Sequence, residues 1–378
     1  MSIIKKIDKL YVALNKTHNN YIGIQYSQRI KYDNIVNKFS NIHMNNMADP
    51  FYPPKVTATP NTNEFEREYI QKYGEWIGID KKDVWGITTS SSSEGLLYGL
   101  VFAKNHFKNK HPLVIYSIVH YIIPRYCKLL ELKILTCDAN EFDEINTESF
   151  HNLIKQNLEY IKKNGLIVVL TMGTTIKCGY DNLPEINKVL SKYNIETYIH
   201  LDGALGGLIL PFLKDNSINY KKNKFNSISF SAHKMIGTPY SIGVFVTTDN
   251  ERLKNNSVII SRDDSSLFCS RNGQAVLYMY LYFCDKNSFN NRKKDVEYCL
   301  KIKDYFMKKL DKINVQYYQN PNNGLSIYCK IGTFPNEVIE KYHLLSDTEY
   351  THIFIMVHIT KKLVNQFIKD FIKYKNNK

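Results

Sequence analysis

No Cys-x-x-Cys pair occurs in this sequence, and its seven cysteines, at 127, 137, 178, 269, 284, 299 and 329, form an odd set. Both features argue against a disulfide framework and a structural zinc site, so the thiols read as reduced and no metal is expected. No stretch approaches the roughly 20 uninterrupted apolar residues of a spanning helix. The basic start, Met1 to Lys6, is not followed by an apolar segment with a small-residue cleavage site, which makes the cytosol the default address. With 17 glycines and 11 prolines in 378 residues, a collagen-like or linker-dominated chain is excluded. The lack of a repeat at about 20 to 50 residues excludes solenoids.

What is present suits an enzyme-sized domain: 43% hydrophobic and 23% charged residues, enough to bury a real core. Fifty Lys and Arg against 36 Asp and Glu give a net charge of +14, a balance that attracts anionic partners. The basic residues are scattered, however, with only short clusters such as Lys221, Lys222 and Lys224 and a Lys-rich tail ending at Lys378. Without a finger or RNA-binding signature they read as a solvated surface, so neither a nucleic acid nor a membrane is an expected partner.

Along the chain, residues 1–62 read as an N-terminal helical arm that closes in a Pro-rich, extended stretch from Pro50 to Pro60. From Asn63, the spacing of Phe65, Tyr69, Tyr73, Trp76 and Ile77 predicts a helix with Glu64, Glu66 and Glu68 near its positive end. Short apolar runs at 113–117, 133–136, 166–171, 197–201, 227–231 and 242–247 alternate with helical stretches such as 94–107 and 149–163. This is the grammar of an α/β domain with helices covering a mostly parallel sheet. The expected large domain is 63–285, followed by a small C-terminal α+β domain over 286–378.

Five sites carry chemistry. In Ser229-Phe230-Ser231-Ala232-His233-Lys234, an apolar strand delivers a lysine to a turn. A lysine in a dry pocket loses its proton readily and can form a Schiff base, the covalent anchor of pyridoxal phosphate (PLP). In Tyr198-Ile199-His200-Leu201-Asp202, another strand ends in a carboxylate 32 residues earlier. It could pair with a protonated pyridine nitrogen or simply cap the next helix. The run Ser90 to Ser93 before Glu94-Gly95 opens a helix and makes an anion cradle, although a serine N-cap explains it as well. No lysine follows in P-loop spacing. His120, just beyond a strand, could stack on a flat ring, or be a satisfied core histidine. Gly173-Thr174-Thr175, with Asp181 in the following turn, offers hydroxyls to a phenolic oxygen or ordinary turn chemistry. Four of the five fall where strands run out into loops, the end at which open α/β sheets bind ligands.

From about Asn45 to its end, the chain resembles the group II PLP-dependent decarboxylases, in particular the bacterial pyridoxal histidine decarboxylases and the plant serine decarboxylases. The matching segments are Asn45 to Phe51, Glu64 to Glu68, Ser93-Glu94-Gly95, His120-Tyr121, Gly173-Thr174-Thr175, His200 to Leu205, Ser229 to Pro239 and Ser270-Arg271-Asn272-Gly273. The resemblance implies the aspartate-aminotransferase type of PLP-dependent fold, a mostly parallel seven-stranded large domain, and active sites at a homodimer interface. It implies decarboxylation of an L-amino acid to its amine, histidine first and serine next. By the same resemblance Lys234 anchors the cofactor, His120 stacks on the ring and meets the substrate, Asp202 pairs with the ring nitrogen and Ala204 packs on the opposite face. Ser92, Ser93, Ser231 and His233 would hold the phosphate, Thr175 would lie near the phenolic oxygen, and Ser270 and Arg271 would reach the neighbouring subunit's site.

The chain departs from the pattern at Ala48, Ser92, Ser93, Ala232, Cys269 and Gln274, none of which removes a catalytic group. The stretch Pro53 to Thr62 also differs, where the arm would line a substrate pocket. Two other readings are a PLP lyase, desulfurase or aminotransferase, kept open by Cys269, and a basic binding protein on a retired fold, disfavoured by the intact Lys234, Asp202 and His120.

Overall fold

The structure, a computed structural model, describes residues 3–53, 59–253, 255–257 and 262–375. Residues 54–58 of the Pro-rich stretch and the last three residues of the basic tail lie outside the described residues. The contacts divide the chain into two units, one of Ile30–Thr174 with Gly179–Lys293 and one of Met1–Arg29, Thr175–Cys178 and Lys294–Lys378. The expected single arm over 1–62 is therefore divided. Residues 1–29 group with the C-terminal part because backbone and side-chain bonds tie them there, among them Ile22 N–H to Tyr342 O at 3.1 Å and His352 Nε2 to Gly23 O at 2.9 Å.

The larger unit is built on a seven-stranded sheet: β1 (Val84–Thr89), β2 (Leu113–Tyr116), β3 (Lys133–Thr136), β4 (Leu166–Thr171), β5 (Thr197–Asp202), β6 (Ser227–Ser231) and β7 (Gly243–Thr248). The order across the sheet is β1-β7-β6-β5-β4-β2-β3, and only β7 runs against its neighbours. Every residue of β4 is buried, as a strand covered on both faces requires. The helix α1 (Asn63–Trp76) turns Glu66, Tyr69, Ile70 and Tyr73 inward, the 3.6-residue stripe that its sequence predicts. The helices α2 (Ser92–His106) and α3 (Ile122–Leu129) follow β1 and β2, and α4 (Gly273–Cys284) follows a short ribbon in which Asn45–Met47 pairs antiparallel with Ser270–Asn272.

The smaller unit has a four-stranded antiparallel sheet centred on Ser326–Lys330 and Tyr350–Phe354, with Lys361–Lys375 as its last helix. Its first helix, Ile3–Thr17, buries no residue and leaves Ile3, Ile4, Ile7, Leu10, Tyr11 and Leu14 exposed along one stripe. Among the described residues no helix is long and apolar enough to cross a membrane.

Candidate active site

The site lies where β5 and β6 end side by side. Asp202 pairs in register with Ser229, and His200 with Ser227. Alternation along a strand puts Tyr198, His200 and Asp202 on one face together with Ser227, Ser229 and Ser231. The helix α2 presses on that face through Gly95 and Gly99. A Cβ at Gly95 would stand 2.7 Å from Ser229 Cβ, and one at Gly99 would stand 2.4 Å from the His200 ring. Only bare backbone can come this close, and the approach holds the first turn of α2 against the ends of β5 and β6. The N-cap Ser91 is extended and makes no side-chain capping bond, so the first-turn N–H groups, with the Ser92 and Ser93 hydroxyls beside them, remain available to an anion.

Lys234 sits half-buried in the single helical turn Ala232–Met235 directly after β6. Asp202, 4% exposed, ends β5, with Oδ1 accepting from Ala204 N–H at 3.1 Å. Burial pushes the Asp202 carboxyl above its ordinary value, while the charge of Lys234, the Ala204 N–H and His120 pull it back. Burial also lowers His120, aided by Lys234 and opposed by Asp202. His233 is lowered by burial and by the charge of Lys234. Lys234 thus acts electrostatically on Asp202, His120 and His233, and Asp202 and His120 on each other. The His120 Nδ1 accepts from Ile122 N–H at 3.4 Å, so the neutral ring carries its proton on Nε2. Ser231 N–H donates to Ala204 O at 3.1 Å, which fixes Ala204 beside the end of β6. Thr175 belongs to the smaller unit, where its carbonyl accepts from Gln25 Nε2 at 2.7 Å.

A cavity of about 550 Å³ opens beside the first turn of α2, walled by Ser93, Glu94, Tyr126, Tyr240, Phe268 and Ser270. Lys234, Asp202 and His120 do not line it. Ser270 is exposed, with Oγ accepting from Asn45 Nδ2 at 3.1 Å. Arg271 is instead engaged within its own chain, its buried guanidinium paired with Glu66 and donating to Ala48 O at 2.7 Å. Glu66 also accepts from Thr88 N–H at 2.7 Å and Asn46 Nδ2 at 2.8 Å. Reading Glu66 only as a helix-dipole residue misses this pairing, although its place on the apolar stripe of α1 was the available signal. Asp181, which the sequence offers only as a turn residue, is a buried carboxylate bridging Ile145 N–H and Thr171 N–H, each at 2.7 Å.

Residues 51–314 match the pyridoxal-dependent decarboxylase conserved domain. The chain belongs to the pyridoxal-dependent decarboxylases. Among its curated relatives, serine decarboxylase 3 of Oryza sativa subsp. japonica is 28% identical over 89% of this chain and 74% of its own length. A histidine decarboxylase of Vibrio anguillarum is 26% identical over 94% of this chain and 90% of its own length. The fold is that of the L-methionine decarboxylase of Streptomyces sp. 590, with a TM-score of 0.86 at 17% identity over 98% of this chain and 95% of that one. It is also that of a Lactobacillus brevis glutamate decarboxylase, with a TM-score of 0.80 at 15% identity over 100% and 93%.

As a pyridoxal-dependent decarboxylase the chain uses pyridoxal phosphate, and its residues fit that group. A lysine and a carboxylate share one electrostatic cluster, and beside them lies an uncapped helix start whose first-turn N–H groups and serine hydroxyls are donors. A phosphate is a ready acceptor for such donors.

Proposed function

We propose that this decarboxylase converts L-histidine to histamine and CO₂, and that Lys234, Asp202 and His120 carry the reaction. The mutual electrostatic influence of these three groups, with Asp202 and Lys234 following β5 and β6 and His120 following β2, supports the assignment of roles. The substrate reading rests on relatives named histidine decarboxylase, which this chain covers over 88 to 90% of their length. L-Serine is the second reading, favoured by the 28% identity to the rice serine decarboxylase.

Bound pyridoxal phosphate supplies an electrophilic carbonyl and a ring that accepts the electron pair left when CO₂ departs. Lys234 would hold the group covalently through its ε-amine, which must be unprotonated to do so. Asp202 holds a proton at the ring nitrogen, which its buried position makes effective. His120, neutral with Nδ1 already occupied, offers Nε2–H to the substrate carboxylate. Ser92, Ser93, Ser231 and His233 would bind the phosphate, and Ala204, held beside the end of β6, would pack against the ring.

The working form in this reading is a homodimer. Ser270 remains the candidate for reaching the neighbouring site, whereas Arg271 serves by holding the ribbon on which Ser270 stands. Support comes from the exposed apolar stripe of Ile3–Thr17 and from Glu94 Oε1, a buried acceptor without a hydrogen-bond partner among the described residues.

The test is an assay of the PLP-loaded protein against pooled common amino acids, with amines and keto acids read by mass spectrometry. Histamine alone supports the proposal, and ethanolamine replaces the substrate with serine. Lys234→Ala is expected to abolish turnover; a variant with wild-type turnover would refute the assignment of that lysine.

A further inference from the structure

Two residues at the end of β4, Thr171 and Met172, bond both the loop that leads to His120 and the segment that carries Asp202. Thr171 Oγ1 donates to Ile118 O at 2.8 Å, two residues before His120. Met172 N–H donates to Asp202 O at 2.8 Å, and Met172 O accepts from Gly206 N–H at 2.8 Å, so this one residue brackets the segment that carries Asp202 and Ala204. The bracket is tight, since a Cβ at Gly206 would stand 2.3 Å from Met172 O. Asp181 clamps the junction from behind by accepting Thr171 N–H and Ile145 N–H, both at 2.7 Å. At this point β4 has run past the register it shares with β2, which ends at Val168, so the carboxylate takes the place of a missing strand. Thr171 is 6% exposed, and neither it nor Asp181 has a part in the chemistry assigned above.

We infer that Thr171 is a positioning residue that sets the gap between His120 and the Asp202–Ala204 segment, and that Asp181 holds Thr171 in place. The inference rests on the roles given to His120 and Asp202 under the proposed function. The hydroxyl of Thr171 acts on the loop bearing His120, while the backbone of Thr171 and Met172 acts on the opposite wall. Loss of the hydroxyl therefore frees one wall only, whereas loss of the Asp181 clamp frees both.

Thr171→Val, Thr171→Ser, His120→Ala and the Thr171→Val/His120→Ala pair separate these effects. Two readouts are used: steady-state kinetics, and the dissociation constant of pyridoxal phosphate for apo-protein followed by protein fluorescence. Thr171→Val is expected to lower kcat about tenfold and weaken cofactor binding a few-fold, the scale of one misplaced group. Thr171→Ser should restore both, and Thr171→Val should have no further effect on kcat once His120 is alanine. Asp181→Asn, which keeps the volume and turns one acceptor into a donor facing an N–H, should weaken cofactor binding more than Thr171→Val does. Wild-type kcat and cofactor affinity in Thr171→Val beside a crippled His120→Ala would overturn the inference alone. Wild-type turnover in His120→Ala would overturn the role of His120 and this inference with it. A purely structural role would show as additive losses in the double variant and no rescue by serine, and would also overturn it.

Discussion

Gly95 and Gly99 set how near α2 lies to β5 and β6, and a single methyl tests whether that distance builds the phosphate cradle. In Gly95→Ala the new Cβ would lie 2.7 Å from Ser229 Cβ, against an ordinary contact that begins near 3.4 Å, so α2 must retreat by about 0.7 Å. Ser229 is fully buried and belongs to β6, in the middle of the sheet, which leaves the helix as the part that yields. Overpacking of this kind costs about 1–3 kcal/mol, and the better helix propensity of alanine returns about 1 kcal/mol. Global stability should therefore fall by no more than about 2 kcal/mol. Cofactor binding should suffer more, because the first-turn N–H groups and the hydroxyls of Ser92 and Ser93 move with the helix away from Ser231 and His233. Loss of one charge-assisted hydrogen bond, about 1.5–3 kcal/mol, corresponds to a dissociation constant roughly 10- to 100-fold weaker. Fluorescence titration of apo-protein with pyridoxal phosphate, alongside a urea melt, measures both quantities. A Gly95→Ala protein that binds the cofactor within twofold of wild type would refute the view that α2 is held at cradle distance by its glycines.

Arg271→Ala leaves the Glu66 carboxylate buried without its cation, and the expected cost is about 3–5 kcal/mol in a denaturant melt; a loss below 1 kcal/mol would show that Asn46 and Thr88 N–H suffice. His352, buried with Nε2 on Gly23 O, is depressed from 6.5 to about 4 by burial. A depressed histidine contributes stability that is complete above the unfolded value near 6.5 and is lost as pH falls toward 4. In the linkage relation this amounts to about 2 kcal/mol by pH 5. His352→Gln keeps a donor for Gly23 O but does not titrate, so its stability relative to wild type should improve by about that amount between pH 7.5 and pH 5; a constant difference would show that His352 is not held neutral.

The parts readable from sequence are those encoded by periodicity. Apolar runs bounded by turn residues locate β2 to β7, and the strand-to-turn placement of Asp202 and Lys234 follows from their lying at the ends of such runs. Alternation also tells which residues share a face of β5. It does not tell that α2 lies on that face, because the signal is an absence of side chain at Gly95 and Gly99, and a helical glycine looks the same whether it faces a sheet or water. The bonds of Thr171 and Met172 are equally hidden, since they end on backbone carbonyls and amides, which every residue type supplies. Grouping of residues 1–29 with the C-terminal part depends on the same kind of backbone bond, at Ile22, and leaves no compositional trace.

Buried carboxylates show most clearly what separates structure from function here. Asp49 accepts from Trp85 Nε1 at 2.9 and 3.0 Å and from Phe51 N–H at 2.8 Å. Glu66 has Arg271, Asn46 and Thr88 N–H, and Asp181 has two backbone N–H groups at 2.7 Å. Each of these three is satisfied by donors that the fold itself fixes. Asp202 is equally buried, yet among the described residues its carboxylate has one backbone N–H, at 3.1 Å, and its remaining compensation comes through space from Lys234 and His120, the two side chains assigned to the reaction. A buried anion is costly unless it is paired. The fold satisfies its structural carboxylates with hydrogen bonds and leaves Asp202 short of them, which is the state a carboxylate needs if it is to take a protonated ring nitrogen as partner. The sequence presents all four as an Asp or Glu near apolar residues, and only the count of fixed donors around each sets Asp202 apart.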